Sequence, residues 1–275
     1  MSVTLITGGT GKTGRRITAL LSAAGRAVRP VSRTGAGANH RFDWADPATF
    51  ATALDDVSAI YLLAPSNVAE PLEAMRPFLE QALRRGVRRL VLLSASSLPK
   101  GGPMMGSVHA YLEEHAPEWT VLRPTWFMQN FSEQQHLETI RNEGRVYSAT
   151  SDGRIAFIDA GDIAAVAVEA LTSPTPFNRD AILTGPASLS YDDVANMIGA
   201  ATGKRIEHVR LTEDQLADRF VASGMKPAYA RVLAAMDTAI SHGSEARVSP
   251  EVPNILGRPA SSLGTFVATE RTAWM

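Results

Sequence analysis

The feature that most constrains this chain is a glycine-rich segment between an apolar run and a helical pattern. Residues 3–7 are apolar or β-branched, and residues 8–14 read Gly-Gly-Thr-Gly-Lys-Thr-Gly. From Ile17 onward, apolar residues recur at the spacing of one helix face. Glycines between a buried strand and a helix allow a tight turn, close approach of backbone N–H groups to phosphate, and close helix–strand packing. The segment therefore predicts a nucleotide site, with a flexible turn as the alternative.

The residues of this turn are the candidates for contact with the pyrophosphate of a dinucleotide. They are Gly8, Gly9, Thr10, Gly11, Lys12, Thr13 and Gly14. Their spacing differs from that of a P-loop. This difference favours a dinucleotide over a nucleoside triphosphate as the ligand.

A second apolar segment ends in Ser32 and Arg33, nineteen residues after Gly14. In dinucleotide folds an acidic residue at about this distance holds the ribose hydroxyls of NAD, whereas an arginine accepts the 2′-phosphate of NADP. No carboxylate stands at this place in the sequence. Ser32 and Arg33 therefore predict NADP(H) as the cofactor, with a solvated loop arginine as the alternative.

Near-continuous apolar segments alternate with helical patterns along the first half of the chain, as in a parallel sheet covered on both faces. The sequence predicts an α/β fold: a Rossmann-like doubly wound parallel sheet with a smaller C-terminal α/β substrate lobe. The boundaries are 1–125 for the NAD(P)-binding core and 126–275 for the substrate side, with some elements of the second part returning to the core. Residues 243–260, rich in Gly, Pro and Ser, are predicted to be a surface loop.

Ligands of such folds bind outside the carboxyl ends of the strands. The residues that follow the predicted strands are therefore further cofactor candidates: Asp43, Ala64, Pro65, Ser66, Ser94 and Ala95. Asp43 has two interpretations that the sequence does not separate. It could bond the adenine amino group, or it could stabilise a turn.

Candidates for the substrate side follow the sixth predicted strand. They are Trp126, Phe127, Met128, Asn130 and Phe131. We interpret them as a substrate wall, with ordinary core packing as the alternative. His109 and Tyr111 share one predicted helix and are the candidate proton donors, and His109 has the better suited ordinary pKa. A structural or surface histidine is the alternative.

Composition excludes several functions. The 275 residues contain no cysteine and carry a net charge of −1, without a basic block or a metal-ligand spacing such as HExxH. Disulfides, thiolate metal sites and a cysteine nucleophile are therefore excluded. We expect a cytoplasmic protein, because the first strand leaves no room for a signal peptide. We also expect it to bind a small-molecule substrate and no metal, nucleic acid or membrane. The oligomeric state stays open.

Several segments together resemble the NmrA-like branch of the atypical short-chain dehydrogenases, and most of all its festuclavine and agroclavine dehydrogenase group. They are the turn at 8–14 with Arg33, Ala64-Pro65-Ser66, residues 122–131, residues 159–164 and Leu183-Thr184-Gly185-Pro186 with Ser190-Tyr191. The resemblance implies an NADP(H)-binding Rossmann domain and a small substrate domain. It also implies either a reductase of iminium, quinone or triphenylmethane compounds or a redox-sensing regulator.

The chain departs from ordinary short-chain dehydrogenases in lacking Tyr-x-x-x-Lys, because none of its five tyrosines has a lysine four residues later. Protonation of an alkoxide therefore lacks its usual donor. The sequence predicts an NADPH-dependent reductase that transfers hydride to an electrophilic C=N or conjugated carbon, of iminium or quinone type. The expected substrate is small, largely apolar and aromatic. An NADP(H)-sensing regulatory protein without turnover is the alternative.

Overall fold

The computed structural model describes residues 2–35, 40–66, 68 and 70–275. Contacts between Cα atoms divide the chain into two compact units. Unit 1 comprises residues 1–124, 160–183 and 254–257, and unit 2 comprises residues 125–159, 184–253 and 258–275. The C-terminal half of the chain thus returns residues 160–183 to the first unit.

Unit 1 contains, among the described residues, a sheet of seven parallel strands. Numbered in chain order, they are β1 Val3–Thr7, β2 Val28–Ser32, β3 His40–Arg41, β4 Val57–Leu63, β5 Arg89–Leu93, β6 Glu118–Pro124 and β9 Arg179–Leu183. The spatial order is β3-β2-β1-β4-β5-β6-β9, so the order reverses beside β1. This arrangement confirms the predicted α/β fold, and the reversal marks where such sheets bind ligands.

The helices of unit 1 lie between these strands in the chain. They are α1 Lys12–Ala23, α2 Phe50–Ala53, α3 Pro71–Arg84, α4 Met105–His115 and α6 Ala160–Thr172, with a 3-10 turn at Pro47–Thr49. The central strands are buried on both faces: Leu5 and Ile60 point to one face, Ile6 and Tyr61 point to the other, and all four are fully inaccessible. This double burial explains why the strands read as continuous apolar runs.

Unit 2 is built from short elements. Its strands are β7 Arg145–Ser148, β8 Arg154–Ile155, β10 Leu189–Ser190 and β11 Glu207–Arg210. Its helices are α5 Leu137–Glu143, α7 Tyr191–Thr202, α8 Glu213–Ala222, α9 Pro227–Ser241 and α11 Leu263–Glu270, with 3-10 turns at Met128–Asn130 and Arg271–Trp274. Strand β7 pairs in parallel with β11, and β8 pairs antiparallel with β10. The core is aromatic, with Phe131, Phe157 and Tyr191 packed edge to face.

Unit 2 also contains a polar network of Ser148, Thr150, His208 and Asp192, which we name the His208 network. The side chains of Ser148, Thr150 and His208 are buried, and the Asp192 side chain at its edge is 39% exposed. The Ser148 hydroxyl lies 2.8 Å from His208 Nε2 and 2.7 Å from the Thr150 hydroxyl. On the other side of the ring, His208 Nδ1 lies 3.5 Å from an Asp192 carboxylate oxygen. Asp237 of α9 is buried next to this network and accepts the Ala149 N–H at 3.2 Å.

The predicted loop over residues 243–260 is wrong in one part, because the structure has a short helix there, α10 Glu251–Leu256. The Ser249 hydroxyl accepts the Glu251 N–H at its start, and Val252 is fully buried. Pro253 falls in the first turn, where a missing N–H breaks no intrahelical bond. The proline that suggested a loop is therefore compatible with the helix.

Candidate active site

The glycine turn joins β1 to α1, and three of its glycines are needed for packing. Gly8 has a φ of +64°, in the left-handed region that favours glycine. A Cβ on Gly14 would lie 2.2 Å from the Gly8 carbonyl oxygen, and one on Gly9 would lie 2.5 Å from Pro30 Cβ. Gly8 therefore makes the tight turn, and Gly14 allows α1 to pack closely against the turn that follows β1.

Gly11 has a different environment from the other three. It is the N-cap of α1 in an extended conformation, and no side chain caps this helix end. A Cβ there would meet only the Gly8 carbonyl oxygen, at 3.2 Å. The first turn of a helix presents N–H groups without intrahelical partners and the positive end of the dipole. An anion can therefore approach the helix at Gly11 without meeting a side chain.

The Thr13 side chain has a structural role in the fold. It is buried, and its hydroxyl accepts a hydrogen bond from the Tyr61 hydroxyl at 2.9 Å. Burial raises the pKa of Tyr61 well above its ordinary value, although the bond to Thr13 opposes this. Tyr61 therefore stays a protonated donor that fastens α1 to β4.

A cavity of about 410 Å³ opens beside this turn, at the carboxyl ends of β1, β2 and β4. Nine of the predicted cofactor residues line it: Gly8, Thr10, Gly11, Ser32, Arg33, Asp43, Ala64, Pro65 and Ser66. The other predicted cofactor residues do not line it: Gly9, Lys12, Thr13, Gly14, Ser94 and Ala95. Gly9 and Gly14 shape the turn from beneath, and Lys12 is the half-buried first residue of α1.

The apolar wall of the cavity contains residues that sequence reasoning missed. They are Val31, Phe42, Trp44, Ala45, Leu63, Val68 and Ala74. Phe42 and Trp44 meet edge to face with ring centroids 4.8 Å apart, and both pack on Phe78. The signal was their position directly after β3, where a flat apolar surface suits a nucleotide base. The sequence predicts a hydrogen bond to the adenine only for Asp43, with Trp44 next to it.

Asp43 has a turn role in the structure. Its carboxylate accepts the Ala45 N–H at 3.0 Å, and its backbone N–H donates to the Thr49 hydroxyl. Asp43 nevertheless lines the cavity, so its contact with an adenine amino group stays a prediction.

The cavity fits a dinucleotide with a 2′-phosphate at two observed points. The Ser32 hydroxyl is buried and, among the described residues, has no hydrogen-bond partner. Arg33 beside it is exposed at the cavity wall. A hydroxyl donor and a guanidinium fork are the groups that hold a phosphate monoester. Ser32, Arg33 and the Gly8–Gly11 backbone are thus the residues that would hold the cofactor's phosphates.

Ser94 and Ala95 follow β5, further along the same edge of the sheet. Ser94 donates its backbone N–H to the Leu122 carbonyl at 2.8 Å. Its hydroxyl is buried and has no hydrogen-bond partner within the described ranges. Their contact with the nicotinamide end of the cofactor stays a prediction.

His109 and Tyr111 on α4 are both buried, at 2% and 6% exposure. The His109 ring packs near Trp119 at a centroid distance of 5.6 Å, and burial lowers the pKa of His109 despite the attraction of Asp180. The Tyr111 ring stacks on His115, and burial raises the pKa of Tyr111. Neither residue lines the 410 Å³ cavity. Their catalytic role stays a prediction, and their burial favours the structural alternative.

The predicted substrate wall lies in unit 2 and divides into two sets. Met128 and Phe131 are fully buried in the unit 2 core, where Phe131 contacts Phe157 and Tyr191. Trp126, Phe127 and Asn130 are half-buried. Backbone bonds pair residues 126–128 with Ile158, which fixes this segment. Only the half-buried set retains accessible surface for a substrate.

Comparison with known families decides the affiliation. Residues 8–174 match the NAD(P)H-binding family, and residues 106–252 match the NmrA-like family. The chain belongs to the NmrA-like family. An uncharacterized oxidoreductase of Bacillus subtilis, YesF, is 44% identical over 98% of this chain and 96% of its own length. Agroclavine dehydrogenase of Claviceps fusiformis is 40% identical over 98% of both chains.

Solved structures agree on the fold. An Escherichia coli NADPH-dependent quinone oxidoreductase complexed with NADPH has a TM-score of 0.81 at 22% identity, covering 97% of this chain and 99% of that one. The Citrobacter triphenylmethane reductase complexed with NADP(H) has a TM-score of 0.80 at 18% identity, covering 98% and 100%.

The NmrA-like chain is an NAD(P)H-dependent oxidoreductase without the Tyr–Lys pair of ordinary short-chain dehydrogenases. Within the described ranges, no helix is long and apolar enough to cross a membrane, and no cluster of His, Asp and Glu could hold a metal ion.

Proposed function

We propose that this NmrA-like oxidoreductase is an NADPH-dependent reductase that transfers hydride to an electrophilic C=N or conjugated carbon of iminium or quinone type. The substrate is small, largely apolar and aromatic. The reaction needs no protonation of an alkoxide by the protein. An iminium carbon that accepts hydride becomes a neutral amine directly, and a conjugated acceptor can take its proton from water.

The observation that carries this proposal is the state of the tyrosines. No tyrosine has a lysine four residues later. Tyr61, Tyr111 and Tyr191 are buried, and the Tyr147 hydroxyl donates to the Glu143 carboxylate at 2.6 Å. The fifth, Tyr229, is half-buried in α9, and none of the five lines the 410 Å³ cavity. A general acid must reach the proton acceptor within hydrogen-bond distance. Because no tyrosine hydroxyl is placed at the cavity wall, a substrate that needs no acid suits the chain best.

Preference for NADPH is supported by Ser32 and Arg33 at the wall of the cavity. The unpartnered Ser32 hydroxyl and the Arg33 guanidinium would hold the 2′-phosphate, and the first turn of α1 would hold the pyrophosphate. Ser94 and Ala95 would border the nicotinamide. The bound cofactor supplies the hydride, and the protein lowers the barrier by holding donor and acceptor carbons close and in line.

The substrate class is supported by the residue types on the substrate side and by the relatives. Trp126 and Phe127 offer aromatic surface, and an aromatic face attracts a cationic ring by roughly 0.5–2 kcal/mol. One relative is an agroclavine dehydrogenase, and two proteins of similar structure are a quinone oxidoreductase and a triphenylmethane reductase. All three names denote compounds with conjugated or fused rings. We therefore place aromatic iminium ions and quinones first among the substrates to test.

The test is a screen of iminium, quinone and triphenylmethane compounds in which NADPH oxidation is followed by absorbance. The steady-state kinetics of three variants are then compared on the best substrate. We expect His109→Ala and Tyr111→Phe each to lower kcat less than tenfold, below the 10²–10⁴ typical of a general acid. We expect Phe127→Ala to lower kcat/KM more than either, because it removes contact with the substrate.

Two outcomes would contradict the proposal. A thousandfold loss of kcat in His109→Ala would make His109 the proton donor and point to an enone or quinone that needs one. Absence of turnover with every class, while NADPH still binds tightly, would favour the sensing alternative.

A further inference from the structure

The loop after β5 is tied to β6 by backbone bonds that continue past the end of the strand. Ser94 donates its N–H to the Leu122 carbonyl at 2.8 Å, and Ser96 donates to the Pro124 carbonyl at 2.9 Å. Two N–H groups of the loop are therefore satisfied by β6. The Ala95 carbonyl accepts the Leu98 N–H at 3.1 Å, whereas the Ser96 carbonyl accepts from a side chain.

The Arg123 side chain is the donor to the Ser96 carbonyl and also contacts the Ala95 carbonyl. Its Nη2 donates to the Ser96 carbonyl at 2.9 Å, and its Nε makes a longer contact of 3.5 Å with the Ala95 carbonyl. Its Nη1 lies 2.7 Å from an Asp180 carboxylate oxygen on β9. Since β6 lies between β5 and β9, one guanidinium joins three neighbouring strands.

The environment makes this arrangement rigid. The Arg123 side chain is only 14% exposed, and Asp180 is 38% exposed. Burial alone would raise the pKa of Asp180, but the Arg123 guanidinium outweighs burial and holds the pKa below its ordinary value. The pair is therefore ionised at neutral pH. A planar fork can serve a carboxylate and two carbonyls at once, which a lysine ammonium cannot do with the same geometry.

His109 does not compete with Arg123 for the carboxylate. Burial lowers the pKa of His109, so its ring is neutral at neutral pH although Asp180 attracts a proton to it. The Asp180 carboxylate is thus left to the guanidinium.

We infer that Arg123, oriented by Asp180, is a positioning residue: it fixes the Ser94–Ser96 backbone and thereby aligns the nicotinamide for hydride transfer. The inference rests on the proposed placement of Ser94 and Ala95 beside the nicotinamide. Its effect is on alignment and not on phosphate binding, because Ser32, Arg33 and the glycine turn lie along other strands.

The same sheet provides a matched control at the amino ends of the strands. Arg89 on β5 is also 14% exposed and pairs with Glu118 on β6 at 2.8 Å. It also donates to two backbone carbonyls, those of Ser173 at 2.6 Å and Leu171 at 3.3 Å. Arg89→Gln therefore removes one ion pair and two carbonyl bonds, as Arg123→Gln does, but at the edge opposite to the cofactor.

The first readout is amide hydrogen exchange of the protein without cofactor or substrate. We expect Arg123→Gln to speed exchange in residues 94–98 by at least about tenfold, which corresponds to roughly 1.4 kcal/mol of lost protection. Arg89→Gln is expected to leave these residues unchanged. Equal exchange in both variants and the wild type would overturn the inference.

The second readout is NADPH itself, by the fluorescence of its bound nicotinamide and by calorimetric affinity. We expect Arg123→Gln to change the nicotinamide emission while the Kd shifts less than about threefold, because the phosphate contacts remain. The third readout is kcat, expected to fall about 10- to 100-fold in Arg123→Gln and within twofold in Arg89→Gln, since small misplacements cost this much.

Arg123→Lys and Asp180→Asn are conservative variants, included as controls in case Arg123→Gln fails to fold. Lysine keeps the ion pair but not both carbonyl bonds, so an intermediate kcat is expected. An equal loss of kcat in Arg89→Gln would show a general loss of stability and overturn the inference. If the wild type reduces no candidate substrate, the proposed function fails, while exchange and nicotinamide emission still decide the role of Arg123.

Discussion

The glycine turn of unit 1 and the His208 network of unit 2 are built on opposite principles. The turn uses backbone and close packing, with no side chain capping the helix that follows it. The His208 network instead buries groups that can change charge. Burial lowers the pKa of His208, although Asp192 opposes this, and burial raises the pKa of Asp237 to about 7. The structure of the turn depends on backbone shape, whereas the stability of the second region depends on the protonation of its buried side chains.

This difference separates two properties of the protein. Variants of the turn glycines should change cofactor affinity at every pH, because backbone shape sets the turn and Tyr61, which donates to Thr13, keeps its proton. Variants in or beside the His208 network should change how stability depends on pH, without affecting the cofactor cavity, whose lining contains none of these residues.

The largest expected effect comes from Gly14→Ala. The added Cβ would lie 2.2 Å from the Gly8 carbonyl oxygen and 2.9 Å from Gly9 Cα, and neither backbone atom can swing away. Overpacking of this kind costs about 3 kcal/mol, so we expect the Kd for NADPH to rise about 100-fold or more. Calorimetric titration measures it. Gly264→Ala in α11 is the control, because its nearest neighbour is the flexible Met197 side chain at 3.6 Å.

NADPH affinity within threefold of the wild type in Gly14→Ala would show that the turn tolerates the displacement. The shape-controlled half of the comparison would then be wrong.

The next effect in size comes from Arg33→Ala. A hydrogen bond to a charged group contributes roughly 1.5–3 kcal/mol, so NADPH affinity should fall about 10- to 100-fold while NADH affinity hardly changes. Titration of both cofactors checks this selectivity. Arg41→Ala is the control, because Arg41 pairs with Asp46 and does not line the cavity. Equal losses for the two cofactors would remove Arg33 from the 2′-phosphate.

The smallest effect concerns stability, through Asp237→Asn. Because the pKa is raised to about 7 in the folded protein, the native state keeps a proton that the unfolded chain releases near its ordinary value of 3.8. The carboxyl therefore contributes most stability at acid pH and loses it as pH rises through 7. Asparagine stays neutral, so the stability of the variant relative to the wild type should rise by roughly 2–3 kcal/mol between pH 5 and pH 8.

Thermal midpoints of Asp237→Asn between pH 5 and pH 9 check this prediction, and the exposed Asp218→Asn serves as the control. A variant whose midpoint follows the wild type at every pH would show that folding does not raise the pKa of Asp237 above its ordinary value.

The sequence was sufficient to predict the sheet and the glycine turn because both depend on local patterns. Continuous apolar strands and glycines at fixed spacing have few alternative structures. Side-chain destinations were harder to predict. Thr13 faces Tyr61, forty-eight residues away, and this contact has no signal in the neighbouring sequence.

The same limit applies to aromatic residues near the site. Phe131 and Trp126 belong to one motif, but only the fold shows that Phe131 is buried against Tyr191 while Trp126 keeps accessible surface. Arg123 and Asp180 likewise meet only because β6 and β9 are neighbours in the sheet. The burial and the partners of these side chains therefore depend on contacts between distant strands, which sequence motifs do not reveal.

Trp44 in the wall of the cofactor cavity provides an optical consequence of the fold. A reduced nicotinamide cofactor bound there, as we propose, would accept excitation energy from this indole. Tryptophan emission should therefore fall as NADPH is added, and the fall would follow occupancy of the cavity without any substrate. Trp44 would then act as a built-in reporter of cofactor binding.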